Sequence, residues 1–376
     1  MKIGIITLPL HTNYGGILQA YAMQIILKRM GHDAIHLQPK ISFPSIHPWW
    51  KMPFVWVKRI LRKYIGGNKD VQIFENPYRW AWIHTTRFTA PFIESHLSCR
   101  YLDSYEWHSI DNRHYDALVI GSDQVWRPKY AMPIERYFGN FIDKHSIKRI
   151  AYAVSFGTDE NEYSPEQQAE CSRLLQQFDA VSVREQSAVA ICKERFGADA
   201  QHVLDPTMLL TPADYEALVH KAGTPHHSGN LMTYILDRSE ATDTFVECIC
   251  QQKGLTAFRT NSRVEDPHAP LSERIQPPVE SWLRGFMDAE YVITDSFHAC
   301  VFSILFHKPF ICIGNNSRGL SRFHSLLKLF SLEDRLINIE RLEDFQDKAI
   351  DWAVIDATLN TKRKESMQFL SMGLNG

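Results

Sequence analysis

Hydrophobic positions along the chain form short unbroken runs, separated by longer stretches with a period near that of a helix. The first run, 2–8, is apolar and β-branched, the pattern of a parallel strand buried on both faces. The loop HTNYGG follows, then ILQAYAMQIILKRMG, in which Leu18, Tyr21, Ala22, Ile25 and Ile26 share one helical face. Lys28 and Arg29 suit the end of that helix dipole, and Gly31 supplies the stop. DAIHLQ reads as the next strand. The alternation returns in YDALVIGSDQVW, KRIAYAVSFG, a helix over 165–178, DAVSVRE, a helix over 186–196, and AQHVLDPTMLL. It weakens in TPADYEALVHKAGTPHHSGN, whose Gly-, Pro- and His-rich end reads as a linker. It then restarts with LMTYILD, a helix near 240–253, LTAFRT, a helix near 279–287, AEYVITD, the helix SFHACVFSILFH and KPFICIG. Strands alternating with helices predict parallel sheets with right-handed crossovers, here in two α/β halves, 1–215 and 216–376. The tail DWAVIDATLNTKRKESMQFLSMG reads as a helix that can pack on either half.

An irregular insertion, about 40–112, interrupts the first half. Within it, WWKMPFVWVKRILRKYIGG places Trp50, Phe54, Val57, Leu61 and Tyr64 on one helical face, with Lys51, Lys58, Arg59, Arg62 and Lys63 on another. Such a helix can lie on an anionic membrane surface, or cap a domain with its cations solvated.

Composition narrows the function classes. The 376 residues give room for two domains, and 44% hydrophobic with 22% charged residues excludes a disordered or fibrous chain. Lys and Arg number 41 against 43 Asp and Glu, a net charge of -2, so no nucleic-acid partner is expected. Seven Cys at irregular spacing form no disulfide framework, and the usual zinc spacings are missing, so no metal is expected. MKIGIITLPL lacks a basic n-region and no run is long enough to span a bilayer, which predicts a cytoplasmic protein. Aromatics at 12% and 17 His either thicken the core or serve sugar stacking and proton transfer.

Ligands of open α/β sheets bind beyond the carboxyl ends of the strands. In HTNYGG, Gly15 and Gly16 allow close backbone approach at a helix start, or simply make a tight turn. VIGSDQVWRP brings Ser122, Asp123 and Trp126 to a strand end, suited to a sugar, or to capping and core packing. YAVSFG offers Ser155. VSVREQS offers Arg184, either a clamp for an anion or the partner of Glu185 or another acid. In YVITDSFHACVFSILFHKPF, Asp295 or Ser296 can cap the helix, which sets His298 in its first turn beside an anion site, positioned to shuttle a proton. NNSRGLSRFHSLL adds Arg318 and Arg322, as anion contacts or solvated caps.

Taken in order, NYGGILQAYAM, YDALVIGSDQVWRP, IAYAVSFG, SVREQSAV, VLDPTMLL, ITDSFHACVFSILFHKPF and NSRGLSRFHSLLKLFSLEDR resemble the polysaccharide pyruvyl transferase family. The resemblance implies two Rossmann-like domains facing a cleft, similar to the GT-B architecture, the first on the acceptor side and the second, with the C-terminal helix, on the donor side. It implies transfer of pyruvate from phosphoenolpyruvate to sugar hydroxyls as a ketal, in making a cell-surface polysaccharide such as an exopolysaccharide. Phosphoenolpyruvate is then a substrate and no cofactor is needed. The acceptor is a sugar or a lipid-linked oligosaccharide, with contact at the inner membrane surface. His298 matches the family's motif His and is expected to be the general acid. Arg184 matches its Ser-x-Arg segment and is expected to meet the donor anion. Asn13, Gly15, Gly16, Ser122 and Asp123 are expected on the acceptor wall, Asp123 as base. Several family members carry Arg two residues before the motif His, where this chain has Ser296. A substitute cation is then expected from Arg318 or Lys308, or the donor differs. The competing expectations are a GT-B-like nucleotide-sugar glycosyltransferase and a non-catalytic sugar-binding protein on the same scaffold.

Overall fold

The computed structural model describes residues 1–43, 47–67, 71–74, 76–111, 113–142, 147–264, 268–314, 319–338 and 347–376. Two all-parallel sheets organise them. The first holds β1 (Lys2–Ile6), β2 (Asp33–Pro39), β3 (Cys99–Leu102), β4 (Ala117–Ile120), β5 (Lys148–Val154), β6 (Ala180–Val183) and β7 (Gln201–His202) in the order β3-β2-β1-β4-β5-β6-β7. The second holds β8 (Leu231–Tyr234), β9 (Ala257–Arg259), β10 (Tyr291–Thr294), β11 (Phe310–Ile313) and β12 (Leu336–Ile337) in the order β12-β11-β10-β8-β9. Ile3 pairs with Ala34 on one side and Ala117 on the other, so β1 is central and Ile3 through Ile6 are buried. Strand order reverses between β1 and β4 and between β8 and β10, giving each sheet one switch point where a crevice opens at the strand ends.

In chain order the helices are α1 (Tyr14–Arg29), α2 (Met52–Tyr64), α3 (Pro77–Thr85), α4 (Ala90–His96), α5 (Ser104–Trp107), α6 (Pro165–Leu175), α7 (Gln186–Phe196), α8 (Pro212–Ala222), α9 (Glu240–Lys253), α10 (Val279–Asp288), α11 (Phe297–Leu305), α12 (Ser321–Leu329) and α13 (Trp352–Asn375). α1 departs from the single buried face its spacing predicts. Tyr14 through Leu27 are buried all round except at Gly16 and Ile25, because the helix is enclosed between its own sheet and the second domain. Tyr14 carries that enclosure: its ring stacks on Trp282 at 5.5 Å and its hydroxyl donates to the Pro277 carbonyl at 2.8 Å. Elsewhere the Gln186 amide donates to Ser325 Oγ at 2.9 Å, a second stitch between the domains.

Three expectations change. The segment 211–230 opens as a helix: α8 packs against α10, and a division at 215/216 falls inside it. Its His-rich end is pinned, with His226 Nδ1 2.7 Å from Asp288 and His227 stacked on Phe258. The C-terminal helix returns to the first sheet. Gly373 packs on Ile150 and Ala180, the Lys148 amino group donates to the Leu374 carbonyl at 2.9 Å, and the Leu204 amide donates to Ser366 Oγ at 3.0 Å. The insertion contributes β3, an edge strand that no run in the sequence announced. None of the residues of its α2 is fully buried. Among the described residues, no helix is long and apolar enough to cross a membrane.

Two parallel-sheet domains with their switch points turned to a shared cleft, and a last helix crossing back to the first, make the GT-B-like arrangement.

Candidate active site

A cavity of about 230 Å³ lies between the switch points. From the first domain come His11, Thr12 and Asn13 after β1, and Asp123 and Gln124 after β4. From the second come Tyr234 and Leu236 after β8, Asp295 through His298 after β10, and Arg322 and Phe323 from α12. Three helices therefore begin at this cavity. α1 is capped by Asn13, whose side chain accepts from the Gly16 amide at 3.2 Å. Neither Ser296, before α11, nor Leu320, before α12, makes a side-chain capping bond. The first-turn N–H groups and the positive dipole ends of these helices favour an anion.

Local sequence explains the loop at β4. Gly121 has φ of +121° and a side chain there would collide with the Tyr152 carbonyl, so only glycine fits. Asp123 follows at φ of +69°, a conformation Asp tolerates better than most residues, and its carboxylate is thereby delivered to the cavity edge. On the opposite wall, the Asp295 carboxylate accepts from the Leu236 and Asp237 amides at 2.8 and 2.9 Å. It therefore ties the β8 loop to the start of α11 and leaves the cap position to Ser296.

Beneath the cavity runs a buried chain of charges. Arg184 donates to Asp205 Oδ2 at 2.8 Å and approaches Asp123 Oδ1 at 3.4 Å. Asp205 Oδ2 also accepts from Ser122 Oγ at 3.1 Å and lies 3.6 Å from His298 Nε2. Burial alone would push the Asp205 carboxyl up, but His298 and Arg184 hold it well below the usual carboxylate range. Burial likewise opposes the charge on Arg184, and Asp205 and Asp123 overcome it. The Phe297 ring lies under both guanidinium groups, 4.4 Å from Arg184 and 5.8 Å from Arg322. Arg322 is pulled down to about 10, by burial first and by the charge of Arg184 second. It stays protonated at neutral pH, and an anion in the cavity would relieve both effects.

The expected residues are thus sorted. His298, Ser296, Asn13 and Asp123 meet at the cavity. At Gly15 the space a side chain would need is filled by the His298 ring of the other domain. Ser122 is fully buried beneath the wall, on Asp205 and the Ala153 carbonyl. Arg184 pairs with acids, and the acids are Asp205 and Asp123 rather than Glu185. Ser155 is no cavity residue: its hydroxyl donates to Glu185 at 2.8 Å inside the first domain. Lys308 cannot replace a cation here, because it follows the far end of α11, roughly 13 Å of helix from His298, and donates to the Met287 carbonyl. Arg318 lies outside the described residues. Trp126 is core, its indole N–H donating to the Tyr137 carbonyl.

Asp205 was missed, although its signal is in the sequence: an Asp between apolar residues in VLDPTMLL must be buried and therefore paired. Arg322, expected as an anion contact or a solvated cap, lines the cavity. Among the described residues, no group of three or more His, Cys, Asp or Glu side chains is arranged to hold a metal.

Fold and cleft together define a GT-B-like class of protein, with anion-directed helix ends on both walls. The chain belongs to the polysaccharide pyruvyl transferase family, whose model matches residues 13–317. Comparison with curated protein sequences gives no match. Among solved structures the chain is similar to Arabidopsis thaliana UGT89C1 complexed with UDP-L-rhamnose, at 10% identity over 98% of this chain and 97% of that one, TM-score 0.48. It is also similar to UDP-N-acetylglucosamine 2-epimerase from Rickettsia bellii, at 6% identity over 100% and 97%, TM-score 0.46. The wall teichoic acid polymerase TagF gives 10% identity over 99% and 83%, TM-score 0.44. None reaches a TM-score of 0.5, so the fold assignment rests on the two sheets and the cleft themselves.

Proposed function

We propose that the protein transfers pyruvate from phosphoenolpyruvate to two hydroxyls of one sugar, as a ketal, in building a cell-surface polysaccharide. One observation carries the reading: three helix N-termini, the His298 imidazole and the Arg322 guanidinium converge on one cavity between the domains. A small, doubly anionic donor with a carbon that must be protonated fits that convergence.

In the proposed reaction, Arg322 and the helix ends of the second domain hold the donor's carboxylate and phosphate. The imidazolium of His298 gives a proton to the methylene carbon, which becomes the methyl group. One sugar hydroxyl adds to the central carbon and a second displaces phosphate. The two hydroxyl protons are released, one leaving on the phosphate and the other restoring His298 through Asp123 or solvent. Asp123 is the base, and Asn13 joins it on the acceptor wall. Asp205 sets opposite charge beside the His298 ring, while Arg184 holds Asp205 and Asp123 in place. The acceptor is a sugar or a lipid-linked oligosaccharide, and no step calls for a cofactor.

Purified protein given phosphoenolpyruvate and a galactose- or mannose-containing acceptor tests the reading. Acceptor-dependent phosphate release is expected. Turnover only with nucleotide sugars would replace it by glycosyl transfer, and sugar binding without any turnover would replace it by a binding role.

A further inference from the structure

The helix α2 sits on the protein with its apolar stripe turned outward. Its half-buried residues are Met52, Val55, Trp56, Arg59 and Lys63. On that side Trp56 packs edge-on to Phe74 at 5.3 Å, and Arg59 donates to the Ile73 carbonyl at 3.2 Å. At 3.6 residues per turn the opposite side is Trp50, Phe54, Val57, Leu61 and Tyr64, all exposed, Phe54 at 76% and Tyr64 at 72%. Trp49 and Ile65 extend this surface at either end, at 85% and 81%. Lys51, Lys58 and Arg62 run along one flank of the stripe. Residues 49–67 carry five cations and no acid, in a chain whose net charge is -2.

We infer that this face docks the protein on an anionic lipid bilayer, with the aromatic and aliphatic stripe entering the interface and the flanking cations meeting phosphate headgroups. Aromatic side chains suit the headgroup boundary, and a helix with one apolar and one cationic face lies in its plane. A second copy of the chain fits poorly. A two-fold contact would set the three flanking cations of one face, Lys51, Lys58 and Arg62, against the same three of another, whereas anionic lipid gives each a partner.

Along the chain the docking helix leads to α3, whose Trp82 ring meets His11 at 5.6 Å, and His11 lines the cavity. Docking would serve an acceptor that is itself carried on a lipid. That last consequence rests on the proposed pyruvyl transfer; the docking does not.

The test is co-sedimentation of the full chain with phosphatidylglycerol-containing vesicles and with pure phosphatidylcholine vesicles. Two variants are compared, Trp50→Ser/Phe54→Ser/Leu61→Ser and Lys58→Glu/Arg62→Glu, both at exposed positions so that thermal unfolding should match the wild type. Expected are binding to the anionic vesicles only, weakening at high salt, and a loss of about tenfold or more in each variant. Phosphate release with a short water-soluble acceptor should stay unchanged in both, so that failure of docking and failure of pyruvyl transfer are read separately. Equal binding to both vesicle types, or variants that bind like wild type, would overturn the inference. So would a dimer in sedimentation velocity that the variants dissociate while vesicles recover no wild-type protein.

Discussion

The imidazole of His298 occupies the space that a side chain on Gly15 would need, although the two residues belong to different domains. The first turn of α1 is thus the back wall against which the proposed acid is seated, and closure of the cleft sets its position. Gly15→Ala should displace the ring and lower kcat about 100-fold, the cost of roughly 1 Å of misplacement, with the thermal midpoint little changed. Gly16→Ala is the control. Its added carbon meets only Asn13, at ordinary contact distances of 3.5 Å and beyond, so steady-state kinetics should stay close to wild type.

Asp205 is held ionised by His298 and Arg184, which fixes the sign of a pH effect. Its folded value lies below the unfolded one, about 3.9, so its contribution to stability is fully present above that value and lost as pH falls below it. Asp205→Asn should cost about 3–5 kcal/mol near neutral pH, because it leaves Arg184 short of a buried partner. The difference in denaturant midpoint between wild type and variant should be constant from about pH 5 to 8 and shrink below about pH 4. A difference that grows in acid would contradict the pairing.

The two buried arginines should fail in different ways. Arg322 lines the cavity, so Arg322→Met should raise the KM for phosphoenolpyruvate about 10- to 100-fold while the protein stays folded. Arg184 serves Asp205 and Asp123, so Arg184→Met should lower stability by about 3–5 kcal/mol. Paired kinetic and unfolding curves distinguish the two. An Arg184 variant of full stability with a raised KM would restore it as the donor clamp.

Lys308 and Ser155 give the converse expectation. Lys308→Met lies at the far end of α11, and kcat/KM should hold within about twofold, as for a change away from the site. Ser155→Ala removes a buried donor from Glu185, whose carboxyl is already pushed up by burial. It should cost about 1–3 kcal/mol of stability and leave KM unaltered.

Much of this was legible in the chain because the alternation of apolar runs and helical periods is a local property. The bounds of α7 and α9 agree with those read from the pattern, and the HTNYGG and DSFH loops meet at one cavity, as the family resemblance implied. What stayed hidden depends on contacts distant in sequence. By its pattern Tyr14 belongs to the loop HTNYGG, yet it opens α1 and enters the other domain beside Trp282. The return of α13 to β5 is set by surfaces 226 residues apart. Arg184 sits at a strand end either way, and only the fold shows that Asp205 and Asp123 reach it first. β3 is short and lies at an edge, with too few residues for period two to register.

The central claim is that His298 protonates the donor's methylene carbon. Running the reaction in D2O, with phosphoenolpyruvate and a sugar acceptor, and taking the mass spectrum of the product tests it directly. The account predicts one solvent deuterium in the ketal methyl for each pyruvate transferred, and a fall in kcat of about 100-fold or more in His298→Gln. A product without solvent deuterium at that carbon, or a His298→Gln enzyme as fast as wild type, would contradict it.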